Sequence, residues 1–178
     1  VRARRPLALL LVAAALTGGG CASPTSGGDA ASGVPPAPEP GSSATGRVER
    51  VVDGDTIDVE QDGRRVRVRL TGVDTPETVK PGSPVECFGP EASARAKDLL
   101  DGERVRLEYD VETTDRFERR LAYVFREGDD LFVNEALLRG GYAERFRDTP
   151  NRRYVDRLIA AEAAARRENA GLWGTCRR

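Results

Sequence analysis

The chain has 178 residues, 39% of them hydrophobic and 32% charged, enough for one ordinary domain with extra segments. Its formal net charge is −1, and setting aside Arg2, Arg4 and Arg5 of the acid-free first twenty residues leaves 25 basic side chains against 29 acidic ones. That balance argues against a simple electrostatic coat for DNA, though not against a site where a bound cation supplies positive charge. Histidine is absent, which excludes Ser-His and Cys-His catalysts, histidine general bases and histidine-ligated zinc, and leaves acid–base work to Asp, Glu, Lys, Tyr or water.

Arg2, Arg4 and Arg5 precede an apolar run from Leu7 to Leu16 and then Gly18-Gly19-Gly20-Cys21. A charged start, a short apolar run and small residues predict a secretory signal over residues 1–20. The run is too short for an ordinary membrane span. Cys21 resembles the site of a bacterial lipoprotein, where that cysteine becomes the lipidated mature N-terminus. Gly18 departs from the pattern, which has a leucine-like residue three positions before the cysteine, and plain secretion is the alternative. Residues 21–45, mostly Ser, Gly, Pro, Ala and Thr, cannot bury a core and read as a flexible tether. The expectation is an exported protein, held to a membrane by lipid on Cys21. Cys87 and Cys176 then remain as an even pair, for which a disulfide closing a loop of about ninety residues is expected. Two free thiols are the alternative.

Residues 46–176 carry the globular pattern. Val48, Val51 and Val52 lead into Asp53-Gly54, a hairpin signal, and Thr56, Ile57 and Val59 continue on a second strand. After a turn at Asp62-Gly63, Val66, Val68 and Leu70 alternate with Arg65, Arg67 and Arg69, one set facing inward and the other outward. Gly72 to Pro84 reads as a loop. Gly89-Pro90 opens a helix that runs to about Leu100 and stops at Gly102. Val105, Leu107 and Tyr109 predict a fourth strand, and Leu121 to Phe125 a fifth, turning near Gly128-Asp129. Asn134 reads as the cap of a short helix closed by Gly140-Gly141. Asn151 reads as the cap of a last helix, with Tyr154, Leu158, Ala161 and Ala165 as its apolar stripe and Gly171 as its end. Five short strands with a helix between the third and fourth predict an α+β fold built on a small closed barrel of the OB type. Nothing indicates an obligate partner chain, so a monomer is expected.

The stretches Val51 to Thr56 and Arg69 to Glu77 place carboxylates and an arginine on strand ends and turns. Carboxylates can hold a hard cation and activate water, and an arginine can hold a phosphate, a set suited to metal-assisted attack on a phosphodiester. Blander explanations exist for each piece. Asp53-Gly54 alone is a hairpin turn, Asp74 to Glu77 alone a loop cap, and Arg65, Arg67 and Arg69 alone a solvated strand face. The twelve-residue calcium loop with its closing Glu is missing. Asp55-Thr56 and Asp74-Thr75 lack the glycine that an aspartic protease pair would have next.

The blocks Asp53-Gly54-Asp55-Thr56, Arg69-Leu70, Val73-Asp74-Thr75-Pro76-Glu77, Gly89-Pro90-Glu91-Ala92, Leu121-Ala122-Tyr123-Val124, Val133-Asn134-Glu135-Ala136-Leu137 and Gly171-Leu172-Trp173 stand in an order that resembles the staphylococcal nuclease (thermonuclease) family. The resemblance spans about Gly46 to Trp173. It implies an OB barrel and calcium-dependent hydrolysis of DNA and RNA, breaking the bond from phosphorus to the 5' oxygen and leaving 3'-phosphorylated products. By position, Asp55 and Asp74 resemble the family's calcium carboxylates and Thr75 its carbonyl ligand. Glu77 resembles the residue that orients or deprotonates the attacking water. Arg69 and Arg119 resemble the two phosphate-binding arginines. Arg116 and Phe117 occupy substrate-binding positions. The departures lie here: Phe117 replaces a tyrosine, Glu118 replaces a glycine, and Arg120 offers a competing register for Arg119. Near Ala143 to Pro150, where the family's nucleotide-binding member has tyrosines, this chain offers Phe146 and Arg147. Other functions compatible with the sequence are an OB surface that binds nucleic acid without cutting it, and a surface lipoprotein in which the barrel is only a scaffold.

Overall fold

Alternation of apolar and charged residues draws the first strands into one curved sheet, because each strand has a dry face and a wet face. The computed structural model describes residues 36–78 and 84–176. The expected signal over residues 1–20, Cys21 and the tether as far as residue 35 lie outside the described residues. In chain order the elements are β1 Ser43–Val51, β2 Thr56–Gln61, β3 Arg64–Leu70, β4 Val73–Asp74, α1 Gly89–Leu100, β5 Arg104–Glu108, β6 Arg120–Arg126, β7 Leu131–Phe132, α2 Val133–Arg139, β8 Glu144–Arg145, α3 Val155–Arg167 and α4 Leu172–Thr175.

The main sheet runs β3-β2-β1-β5-β6-β7, and a parallel pairing of β3 with β6, from Val68↔Arg120 to Leu70↔Ala122, closes five of these strands into a barrel. The closed barrel with α1 between its third and fourth strands is the expected OB-type α+β fold. Ile57, Val59, Val68, Leu70, Val105, Leu107 and Val124 fill its interior. α1 turns Ala92, Ala96, Leu99 and Leu100 inward at helical spacing. Strand β1 takes in Ser43–Thr45, which composition alone assigns to the tether, and pairs them with Arg106 to Glu108 of β5. No helix of the described residues is long and apolar enough to cross a membrane.

Three local readings change. Val73–Asp74 is a short strand rather than loop, paired with β8 as Asp74↔Glu144. Asn134 lies inside α2, not at its cap. Fully buried, it accepts from the Val124 N–H (2.9 Å) and donates to the Thr71 carbonyl (2.9 Å), joining β6 to the turn after β3. Asn151 stands four residues ahead of α3 and bonds Glu112 through both N–H (2.8 Å) and C=O (2.8 Å), which ties down the segment between β5 and β6. Cys87 and Cys176 are joined as a disulfide, with Cα atoms 5.9 Å apart.

Candidate active site

The site grows from the β1–β2 turn. Val52 donates to the Thr56 carbonyl (2.8 Å), closing the hairpin and turning Asp55 towards β4. Asp55 is buried. Its Oδ1 accepts from the Thr56 hydroxyl (3.1 Å), while its Oδ2 accepts from the Thr75 N–H (2.9 Å) and hydroxyl (3.0 Å). Gly54 makes this approach possible: a Cβ there would stand 2.7 Å from the Thr75 side chain.

Arg69 ends the outward row of β3, and the row is not uniform. Its side chain is 14% exposed, against 65% for Arg65 and 48% for Arg67. Arg65 and Arg67 form the solvated face, whereas Arg69 turns into the cleft. There its guanidinium pairs with Asp55 (2.9 Å) and Asp74 (3.0 Å) and donates to the Val73 carbonyl (2.6 Å). Arg119 is drawn to Asp115, Nε to Oδ2 at 2.8 Å. A phosphate therefore has to share or displace carboxylates at both guanidinium groups.

One cavity of about 180 Å³ is lined by Asp55, Asp74, Thr75, Glu77, Arg69 and Arg119, with Asp53 and Pro76 completing the wall. All of the residues given metal or catalytic positions thus meet in one place. Arg69 and Arg119 also line a neighbouring groove of about 470 Å³ that includes Arg116, Phe117 and Phe146. Both phenylalanines are exposed. Phe117 lies between two cations, with the Arg116 guanidinium 4.7 Å and that of Arg119 5.5 Å from its ring centre. Arg120 faces another way. It is 5% exposed and donates to the Thr114 hydroxyl (3.1 Å) and the Pro36 carbonyl (2.8 Å), so Arg119 is the arginine of the cleft.

Sequence reasoning missed two acids. Asp53, read as a turn residue, lines the cavity. Burial first, and then the charge of Asp55, pushes its carboxyl up to about 6. Glu144 does not line the cavity but stands beside Asp74 through the Asp74↔Glu144 register, which no local pattern announces, and its charge acts on that carboxyl. The Asp74 side chain is 59% exposed, yet its carboxyl is raised: loss of surrounding water is the largest cause, and the charges of Asp55 and Glu144 add to it against the pull of Arg69. The cleft carries more negative charge than its arginines neutralise, and its donors are all oxygens. Among the described residues no three acidic or cysteine side chains form a ready-made metal cage. A hard cation that keeps water or substrate oxygens fits such a donor set.

Carboxylates and guanidinium groups meeting at the rim of an OB barrel are the equipment of a phosphodiester hydrolase. Residues 67–175 match the family model described as staphylococcal nuclease homologue. The chain is 45% identical over 129 residues to a thermonuclease of Staphylococcus hyicus, covering 72% of this chain and 75% of that one. It is 46% identical over 126 residues to a thermonuclease of Staphylococcus intermedius, covering 71% and 74%. Against the endonuclease YncB of Bacillus subtilis (strain 168) the figures are 38% over 128 residues, 71% and 60%. The chain belongs to the staphylococcal nuclease family.

Proposed function

We propose that this nuclease hydrolyses DNA and RNA in a calcium-dependent reaction that leaves 3'-phosphorylated ends. The observation that carries the reading is the convergence of Asp55, Asp74, Glu77, Arg69 and Arg119 on one cavity, which shares Arg69 and Arg119 with a groove bearing Phe117 and Phe146. Asp55, Asp74 and the Thr75 carbonyl are the residues that would hold calcium. When bound, that ion supplies positive charge beside a phosphate that otherwise repels the carboxylates. Glu77 takes a proton from the attacking water. Arg69 and Arg119 hydrogen-bond the nonbridging phosphate oxygens, whose negative charge grows as water adds and the 5' oxygen leaves. Planar bidentate guanidinium groups suit that task, and lysine cannot copy it. The exposed rings of Phe117 and Phe146 offer apolar faces to bases.

A cleavage assay on single-stranded and duplex substrates tests this. Activity should require calcium and vanish with a chelator. Glu77→Gln and Arg69→Lys should each lower kcat by about a hundred-fold or more with the fold intact by circular dichroism. Band shifts without cleavage in calcium would instead make the barrel a binding module. Beyond the described residues, we propose export and lipid attachment at Cys21. Labelling with a fatty-acid analogue should mark the protein, and Cys21→Ser should release it into the medium; absence of label would leave secretion alone.

A further inference from the structure

Glu77 follows Pro76 outside any helix or strand, so something must hold the proposed base in place. Its carboxylate Oε1 accepts from the Thr78 N–H at 2.9 Å. Its backbone is clasped from both sides by one residue. The Glu77 N–H donates to Oε2 of Glu86 (3.0 Å), and the Glu86 N–H donates to the Glu77 carbonyl (2.9 Å). Glu86 is in turn fastened to the body of the molecule. The next residue, Cys87, is bonded to Cys176 at the end of α4. The Glu86 carbonyl accepts from the Gly89 N–H (3.0 Å) at the start of α1. Gly89 packs so closely that a Cβ there would lie 2.6 Å from Thr78 and 3.2 Å from the Glu77 carbonyl.

Glu86 does not line the cavity and is exposed. An exposed hydrogen bond contributes little to stability, since water replaces it readily. A solvent-facing carboxylate bound to the backbone of the proposed base therefore has its explanation in geometry rather than in folding. We propose that Glu86 is a positioning residue: its side chain holds the Glu77 backbone so that the Glu77 carboxylate stays directed into the cleft. The inference rests on the role given to Glu77 above.

Backbone displacements of about an ångström at a reacting group can lower turnover by around a hundred-fold. In the full chain with calcium, Glu86→Ala should lower kcat by about ten- to a hundred-fold, while KM for an oligonucleotide and the melting temperature stay near those of the parent. Glu86→Gln should restore most of the loss, because an amide oxygen still accepts from the Glu77 N–H. On a Glu77→Gln background, Glu86→Ala should cost little more, because two residues acting through one group are not additive. Parent-like kcat in Glu86→Ala beside an inactive Glu77→Gln would overturn this inference alone. A loss seen in KM or melting temperature with kcat unchanged would also overturn it. Full turnover in Glu77→Gln would remove the base itself, and the positioning role with it.

Discussion

Two residues show how single side chains depart from what their letters suggest. Glu118, which the resemblance sets in place of a glycine, has a left-handed backbone, φ 63°, a conformation that glycine adopts without strain. A side chain in that conformation costs about 1–2 kcal/mol, partly offset by the entropy that glycine loses on folding. Glu118→Gly should therefore raise stability by about 0.5–1 kcal/mol, read from urea unfolding, and a lower midpoint would contradict the strain argument. Asp58 reads as an ordinary polar residue of β2, yet its side chain is only 2% exposed and takes hydrogen bonds from Arg50 (2.8 Å) and Arg67 (2.8 Å). Burial works to raise its carboxyl, but the bonds from Arg67 and Arg50 outweigh it, and the net shift is downward. A carboxyl held low in the folded state stabilises above its unfolded value of about 4, and that stability is lost as pH falls through the lower folded value. Asp58→Asn should cost about 1.5–3 kcal/mol at neutral pH, and the gap to the parent should narrow in acid below pH of about 4. Equal losses at both pH values would place the effect in packing instead of charge.

At the scale of elements, much of the fold was legible because strand alternation, Gly-Pro punctuation and the β1–β2 turn are local signals. Arg65, Val66, Arg67 and Val68 announce β3 by themselves. What stayed hidden was long-range. Val73–Asp74 became a strand only because Glu144–Arg145 came to lie beside it, and β8 is held there by Glu162 of α3, whose Oε1 accepts from the Arg145 N–H at 3.1 Å. Asn134 and Asn151 carried cap-like signals, but a buried asparagine that matches a backbone N–H with one atom and a carbonyl with the other is worth more to a tertiary joint than to a helix end. The candidate site followed the same division. Asp55, Asp74, Glu77 and Arg69 were legible as blocks, whereas Asp53 and Glu144 entered through the shape of the turn and the register of β4. Removing the Asn134 amide should accordingly loosen an interface rather than fray a helix. Asn134→Ala leaves a buried donor and a buried acceptor without partners and should cost about 2–4 kcal/mol in urea unfolding. A cost below about 1 kcal/mol would mean that water replaces the amide there.

At the scale of the molecule, closure of the barrel and the Cys87–Cys176 bond do different work. Closure through β3 and β6 brings Arg69 and Arg119 to one rim, since Arg69↔Leu121 is a parallel pair and Arg119 precedes it by two residues. That placement follows from the topology of the barrel and not from the disulfide. The disulfide spans 89 positions and ties the start of α1 to the end of α4, so its main effect falls on the unfolded chain, which can no longer separate those ends. Chain-entropy reasoning puts the stabilisation from a loop of this size at about 4–5 kcal/mol, an upper figure because real unfolded chains retain structure. Replacing both cysteines, Cys87→Ser with Cys176→Ser, should lower the urea midpoint by an amount equivalent to about 2–5 kcal/mol. A thiol reductant should shift the parent's midpoint the same way and leave the double variant untouched. A parent insensitive to reductant whose free thiols then react quantitatively would show that the bond contributes nothing to stability. If the thiols stay unreactive, the bond resisted reduction and the double variant alone decides.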